Sequence, residues 1–286
     1  MHNLGVRAHD FGQLPIDTLA ATIAAKGLTS IQLALAKALA DVPSPTGGFS
    51  PGLARHVRKS FDRHGVSIAV LGCYFNPLDP DKTRLDEMTR RFKEHLRFAR
   101  EFGCSVVATE TGSRNADWSY HPDNASDSAL TEVIDKVGEL VDEAKRFGVF
   151  VCIEGVASHV VSTPARMKRV LDAISSSNLQ VLFDAVNLLN AANHERQVEI
   201  IDEAWALYGD RIQIIHAKDY VVQNGSLKPA VIGEGRMDFA AQFKHLHARK
   251  SHLDVLLEDT QPATIETSIR NIRTLFAQAN PEKPGR

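Results

Sequence analysis

The chain has 286 residues, of which 43% are hydrophobic and 24% charged, and its formal net charge is −2 at pH 7. This composition is typical of a soluble globular protein, and a nearly neutral charge argues against a non-specific nucleic-acid binder, which usually carries a basic excess. No apolar run approaches the roughly 20 residues of a membrane-spanning helix, and the N-terminus has no secretory-signal pattern, so we expect a cytoplasmic protein with no membrane partner.

Patterns typical of strands and of helices alternate from one end of the chain to the other. Short runs of branched apolar residues predict eight strands, over residues 4–8, 30–35, 66–74, 105–109, 150–154, 179–184, 212–216 and 254–258. Apolar residues three and four positions apart predict helices over residues 15–26, 53–64, 85–102, 129–147, 164–175, 195–208, 238–249 and 263–279. We expect a polar and aromatic loop at 113–124, an irregular segment at 220–237 and a frayed tail at 280–286.

Strands that are separated by single helices must pair in parallel, and eight such units close naturally into a barrel. The sequence therefore predicts an α/β fold, a single-domain (β/α)₈ TIM barrel over residues 1–279. A doubly wound open sheet is the alternative. Its dinucleotide fingerprint would need Gly-x-Gly-x-x-Gly directly after an early strand, whereas the nearest match, Gly233-Glu234-Gly235, lies in a predicted loop.

The three cysteines are odd in number and widely spaced, and each lies in or beside a predicted strand: Cys73, Cys104 and Cys152. This arrangement favours buried, reduced thiols over disulfides and has no metal-ligand spacing.

Four predicted strands end at residues whose side chains can bind a metal: Glu154, Asp184, His216 and Glu258. In a barrel the C-terminal ends of the strands converge on one mouth, so these side chains should be neighbours. Three carboxylates and an imidazole around one point favour one divalent cation, and the oxygen-rich set suits Mn²⁺ best, with Mg²⁺, Co²⁺ and Zn²⁺ as alternatives. For any single residue, a bond to the backbone or to an arginine is the simpler interpretation.

Several segments of the second half resemble the xylose isomerase-like barrel superfamily: IEGVASH (153–159), FDAVNLL (183–189), IHAKD (215–219), GEGRMDF (233–239) and LLED (256–259). The likeness is closest to its sugar phosphate isomerase/epimerase members, which include the ketose 3-epimerases and share a fold with endonuclease IV. The resemblance implies that the four strand-end residues are the metal ligands and that Glu154 and Glu258 are also the acid/base pair. It further implies a homodimer or homotetramer.

The implied function is a metal-dependent isomerase or epimerase of a sugar, sugar phosphate or polyol ketone, which moves a proton through a metal-stabilised enediolate. Two carboxylates on opposite faces of the substrate would give epimerisation, and one base working on one face would give isomerisation. Dehydration of a keto-inositol begins with the same proton removal and is an alternative.

Further residues are candidate substrate contacts. The resemblance implies that Arg236 orients the substrate, although a surface arginine is the simpler alternative. Of Lys218 and Asp219, one side chain should point at the mouth and the other into the wall. The remaining candidates end strands four and one or follow Glu154 at the rim: Glu110, His9 and His159.

An abasic-site endonuclease is the alternative from another class. Asn187 stands three residues after Asp184, where both the endonucleases and the ketose 3-epimerases carry histidine. An amide cannot bind zinc as an imidazole does, but it can hydrogen-bond a substrate hydroxyl. Strands two and three also end without histidine, at Leu35 and Tyr74. We therefore expect a small sugar or sugar phosphate as substrate and no nucleic-acid partner, with the identity of the sugar left open.

Overall fold

The computed structural model of the protein describes residues 3–250 and 252–279, so the predicted tail at 280–286 lies outside the described residues. The strands in chain order are β1 (Leu4–Arg7), β2 (Ser30–Leu33), β3 (Ser67–Gly72), β4 (Val106–Glu110), β5 (Phe150–Glu154), β6 (Leu179–Asp184), β7 (Ile212–Ala217), β8 (Asp219–Gln223), β9 (Ser226–Ala230) and β10 (Asp254–Leu257). The helices are α1 (Ile16–Ala25), α2 (Leu35–Ala38), α3 (Pro51–Asp62), α4 (Lys82–Phe98), α5 (Asp127–Phe147), α6 (Pro164–Ile174), α7 (Gln197–Tyr208), α8 (Phe239–Arg249) and α9 (Ile265–Gln278).

Eight parallel strands close into a barrel in the order β1-β10-β7-β6-β5-β4-β3-β2, which confirms the predicted (β/α)₈ fold. Helices cover the outside of the barrel, and side chains from the strands fill its interior, so the strands are buried on both faces. This is why they have continuous apolar sequences rather than alternating ones. Within the described residues no helix is long and apolar enough to cross a bilayer.

Strand register brings the predicted functional residues to one level of the barrel. Glu110 on β4 pairs with Glu154 on β5, and Asp184 on β6 pairs with His216 on β7. Since all these strands are parallel, their carboxyl ends open onto the same mouth.

Local sequence accounts for most helix starts. Thr163 caps α6 by accepting a hydrogen bond from the backbone N–H of Arg166, with Pro164 at the first helical position. Ser50 caps α3 in the same way and starts it two residues before the predicted 53–64 helix. The prediction that the three cysteines are buried and free is confirmed.

The prediction of an irregular segment at 220–237 was wrong for residues 220–230 and is confirmed for residues 231–237. Strands β8 and β9 form an antiparallel hairpin there. The turn between them is Asn224-Gly225, with φ values of 50° and 70°. Asn-Gly is the preferred pair for such tight hairpin turns because both residues tolerate positive φ. The hairpin follows β7 directly and lies at the mouth of the barrel.

Asp219 holds the hairpin and the segment after it in place. Its buried carboxylate accepts hydrogen bonds from four backbone N–H groups, at 2.8 to 3.0 Å, those of Tyr220, Gly233, Gly235 and Met237. A side chain at Gly235 would put its Cβ 2.2 Å from the Asp219 Oδ1 atom, so only glycine fits there. Asp219 thus points into the wall and Lys218 into the mouth, as the sequence predicted for this pair.

Replacing Asp219 by alanine should lower the free energy of unfolding by about 3 kcal/mol, because four N–H donors lose a charged acceptor. Chemical denaturation of the purified variant measures this loss. Asp219→Asn, which keeps one carbonyl oxygen, should lose less, and the exposed Asp172→Ala should stay within about 0.5 kcal/mol of the parent. A loss below about 1 kcal/mol for Asp219→Ala would contradict this role.

Candidate active site

Four side chains meet at the mouth of the barrel and form the strand-end cluster, Glu154, Asp184, His216 and Glu258. One ligand atom from each lies within 4.8 Å of the others, and all four residues are buried. The Nδ1 atom of His216 lies 2.5 Å from Glu258 Oε2, 3.7 Å from Glu154 Oε1 and 3.9 Å from Asp184 Oδ2. A single ring nitrogen therefore faces all three carboxylates.

Gln32 determines which nitrogen of His216 faces the cluster. The other ring nitrogen, Nε2, lies 2.9 Å from Gln32 Oε1. An amide oxygen can only accept, so Nε2 carries the hydrogen and Nδ1 is the free nitrogen of the neutral ring. The amide of Gln32 in turn donates to the hydroxyl of Tyr74 at 3.3 Å. Sequence reasoning missed Gln32, although a polar residue within the apolar strand β2 was a visible signal.

The donor set fits a divalent cation. Asp184 Oδ2 is buried and has no hydrogen-bond partner, and the buried Nδ1 atom of His216 lies beside Glu258 Oε2 at 2.5 Å. When His216 is neutral, a lone pair on its Nδ1 atom and the oxygens of three carboxylates are directed into the same small space. Such a set suits Mn²⁺, Mg²⁺, Co²⁺ or Zn²⁺.

Without a cation, the buried carboxylates of the cluster repel one another, so it is unfavourable for all of them to be ionised. Burial, together with the charges of Glu258 and Glu154, raises the pKa of Asp184 to about 7. Burial opposes a charge on His216, but the neighbouring carboxylates of Glu258 and Glu154 hold its pKa well above the usual range. The same cluster therefore retains protons near neutral pH that a bound cation would displace.

Metal binding at pH 7 should release about one proton per chain, and the release should fall as the pH is raised from 6 to 9. The apparent affinity for Mn²⁺ should rise over the same range, because Asp184 and His216 must lose protons to bind it. Calorimetric titrations in two buffers with different ionisation enthalpies measure the number of protons released. Identical heats in both buffers at pH 6 and pH 7 would contradict this expectation.

Two cations hold Glu258 and the neighbouring Asp259. Arg7, at the end of β1, lies 2.8 Å from Glu258 Oε1 and 2.7 Å from Asp259 Oδ1, and its Nε atom lies 2.7 Å from Asp10. Lys218 lies 2.9 Å from Asp259 Oδ2 and 3.4 Å from Glu258 Oε1. Although burial opposes ionisation, the charges of His216, Lys218 and Arg7 hold the pKa of Glu258 well below its usual range. Sequence reasoning missed Arg7 and Asp259.

Asn187 links Glu154 to Lys218. Its Nδ2 atom donates to Glu154 Oε1 at 2.6 Å, and its Oδ1 atom accepts from Lys218 Nζ at 3.0 Å. Its backbone N–H donates to Asp184 Oδ1 at 3.0 Å. The amide thus orients one carboxylate of the cluster and the ammonium group beside it.

The other predicted contacts lie around the mouth at different depths. His159 is buried, with Nδ1 3.5 Å from Glu110 Oε2, and burial together with the charges of Glu154 and Glu258 raises the pKa of Glu110 to about 8. His9 packs edge-on against Tyr74, and burial, with the charges of Arg7 and Lys37, lowers its pKa to about 4.

Arg236 has an exposed side chain; its backbone N–H donates to Tyr220 and its carbonyl accepts from Gln197. Arg236 thus lies in the segment between the hairpin and α8, and it is not part of the strand-end cluster.

A cavity of about 500 Å³ opens beside the strand-end cluster. Its inner end is formed by Asn187, Lys218 and Asp259, the residues that contact or adjoin the cluster. The β8–β9 hairpin and the loop before α5 supply outer walls, through Leu227, Lys228 and Tyr120 among others. Of the predicted substrate contacts, Asn187 and Lys218 line this cavity.

Comparisons with known proteins agree with this architecture. A family model described as xylose isomerase-like TIM barrel matches residues 20–275. No curated protein has a significantly similar sequence.

Many solved structures share the fold. A D-tagatose 3-epimerase-like protein is 19% identical, with 97% of this chain and 98% of that one covered and a TM-score of 0.75. The 3-keto-D-glucoside 4-epimerase YcjR from E. coli is 16% identical, with coverage of 96% and 100% and a TM-score of 0.72. An IolI protein with a bound zinc atom is 16% identical, with coverage of 97% of each chain and a TM-score of 0.71. At these identities the likeness shows the fold.

Proposed function

The chain belongs to the xylose isomerase-like TIM barrel family, and from that membership we propose that it is a divalent-metal-dependent isomerase or epimerase of a sugar, sugar phosphate or polyol ketone. The observation that carries the proposal is the strand-end cluster, in which one imidazole and three carboxylates present ligand atoms within 4.8 Å of one another. The names of two similar structures, both sugar epimerases or like one, support the substrate class. We propose Mn²⁺ as the metal because three of the four ligands are carboxylates.

A divalent cation in the cluster would polarise a substrate carbonyl and an adjacent hydroxyl, which makes the neighbouring carbon-bound proton easier to remove. Glu154 is the proposed base. Its closest donor is the neutral amide of Asn187 at 2.6 Å, whereas Glu258 is held by the cations Arg7 and Lys218 and is the weaker base.

The role of Glu258 separates the two reaction types. If it returns a proton on the opposite face of the substrate, the outcome is epimerisation. If Glu154 both removes and returns the proton on one face, the outcome is aldose–ketose isomerisation. In either case Lys218 lines the cavity with its ammonium group held by Asn187 and Asp259, and this fixed positive charge can stabilise negative charge that develops on a substrate oxygen.

A panel of ketoses, ketose phosphates and keto-polyols, incubated in deuterated water with the Mn²⁺-loaded protein, tests the proposal. NMR should find deuterium at a carbon next to the carbonyl of at least one compound, and a chelator should prevent it. A new sugar identifies epimerisation or isomerisation, and loss of water identifies dehydration. No exchange with any member of the panel would count against the proposed function.

Gln32 offers a test of the metal site that does not depend on the substrate. Replacing it by leucine removes the acceptor that fixes the ring of His216, so the affinity for Mn²⁺ should fall about 10- to 100-fold. Gln180→Leu is the matched control, because Gln180 is also buried in a barrel strand but bonds to Ser177 and Gln213. Equal affinities in the two variants would rule out the proposed role of Gln32.

A further inference from the structure

Building on the proposed function, we propose that the substrate carries an apolar or aromatic substituent instead of a phosphate, and that the outer wall of the cavity binds this substituent. The cavity changes character along its length. Its inner end is polar, formed by Asn187, Lys218 and Asp259. Its outer wall includes Leu227, Pro229 and the ring of Tyr120, and Val156, Val186 and Leu189 add further apolar lining, whereas Ser158, Asn190 and Lys228 are polar members of the remaining lining.

Tyr120 is unusual among the described residues. It is 63% exposed. Among all the residues that the structure describes, the only other exposed large hydrophobic residue is Val198, at 38%. Tyr120 lines the same cavity as the hairpin residues Leu227 and Pro229. An exposed aromatic ring in a cavity that is lined mainly by apolar side chains is typical of a site for another ring or alkyl group.

The cavity is poorly equipped for a phosphate. Among the residues that the structure describes, Lys218 and Lys228 are the cationic ones that line it. The ammonium group of Lys218 is already bound to Asp259 at 2.9 Å and to Asn187 at 3.0 Å. Lys228 is exposed on the hairpin, and at the inner end the ion pair with Asp259 offsets the positive charge of Lys218. Arg236, the sequence-based candidate for holding a phosphate, is not among the lining residues.

The size of the cavity agrees with a substituted sugar. About 500 Å³ lies within the range of roughly 300–1,000 Å³ that encloses drug-sized ligands. The polar inner end can hold the hydroxyl groups and the carbonyl next to the strand-end cluster. A substituent that points outward would then contact Leu227, Pro229 and Tyr120.

Binding of matched probes tests this inference separately from turnover. The probes are methyl and phenyl 3-keto-β-D-glucopyranoside, with D-fructose and D-fructose 6-phosphate as the second pair, and calorimetry of the Mn²⁺-loaded protein is the readout. We expect the phenyl glycoside to bind at least about tenfold more tightly than the methyl glycoside, because its ring buries more apolar area. Fructose 6-phosphate should bind no more tightly than fructose.

Variants assign the preference to the outer wall. Tyr120→Ser and Leu227→Ser should each reduce the preference for the phenyl probe to below about threefold with little effect on the methyl probe. Val198→Ser, the matched exposed control, should leave the preference unchanged. Equal binding of both glycosides, no binding of the phenyl glycoside, or a tenfold preference for the phosphate that Lys228→Ala abolishes would each overturn the inference. So would a dimer that Tyr120→Ser dissociates, which would assign the wall to a second copy of the chain.

The two proposals can fail independently. A phenyl preference without deuterium exchange in any ketone would uphold the apolar wall and refute the proposed reaction. Exchange with sugar phosphates alone would uphold the reaction and refute the apolar substituent.

Discussion

Replacing Glu154 by glutamine should lower the rate of deuterium exchange into the substrate by about 10²- to 10⁴-fold, the range expected for loss of a general base. Glutamine has the same shape and keeps an oxygen that can accept from Asn187 or bind a cation, but it cannot accept a proton. The effect should therefore appear in the chemical step at saturating Mn²⁺. Exchange by NMR with the best substrate of the panel measures it.

The control for this prediction is Glu132→Gln, which removes a surface carboxylate that pairs with Arg114. Its exchange rate should match that of the parent protein. The metal content of Glu154→Gln must be measured in the same samples, so that a loss of metal is not mistaken for a loss of base. A metal-loaded variant that keeps more than a tenth of the parent rate would show that another group removes the proton.

Replacing Asp184 by asparagine should have opposite effects on metal binding and on stability without metal. The affinity for Mn²⁺ should fall at least about 100-fold, since even residues that only orient a ligand cost 10- to 100-fold. The metal-free variant, however, should unfold at a higher temperature than the metal-free parent at pH 8. Calorimetric unfolding with chelator and titration with Mn²⁺ measure the two effects.

The sign of the stability change follows from the raised pKa of Asp184. Burial is the largest cause that raises it to about 7, so the folded state favours the protonated acid. The cost of ionising it in the fold is absent below the ordinary pKa and is complete once the pH exceeds 7, where it is on the order of a few kcal/mol. The gain from asparagine should therefore shrink at pH 5. A metal-free variant that is less stable than the parent at pH 8 would contradict the electrostatic account.

Residues at the ends of barrel strands could be predicted from the sequence because the fold supplies their proximity. Once eight strands are recognised, the side chains of Glu154, Asp184 and His216 must lie at the same mouth of the barrel, whatever their separation along the chain. The strand patterns were strong enough to identify because parallel barrel strands are apolar on both faces.

Contacts that depend on side-chain reach could not be predicted in this way. Arg7 contacts Glu258 and Asp259 across almost the whole chain, and no local pattern encodes that ion pair. Asp259 adopts a positive φ of 54°, a conformation that sequence alone does not predict for aspartate.

Two further features, the hairpin and the role of Gln32, could have been predicted from the sequence. The Asn224-Gly225 pair between two apolar stretches is typical of a hairpin, and Gln32 interrupts an apolar strand. The Asn-Gly turn and the polar residue within an apolar strand therefore predict features of this site that the apolar runs of the strands do not.

Metal analysis of protein purified without chelator tests the central claim most directly. The strand-end cluster offers four ligands around one point, so we expect about one divalent ion per chain, lost in Asp184→Asn and retained in the surface control Glu132→Gln. Three zinc ions per chain, or full isomerase or epimerase activity with no metal bound, would contradict a single catalytic cation held by Glu154, Asp184, His216 and Glu258.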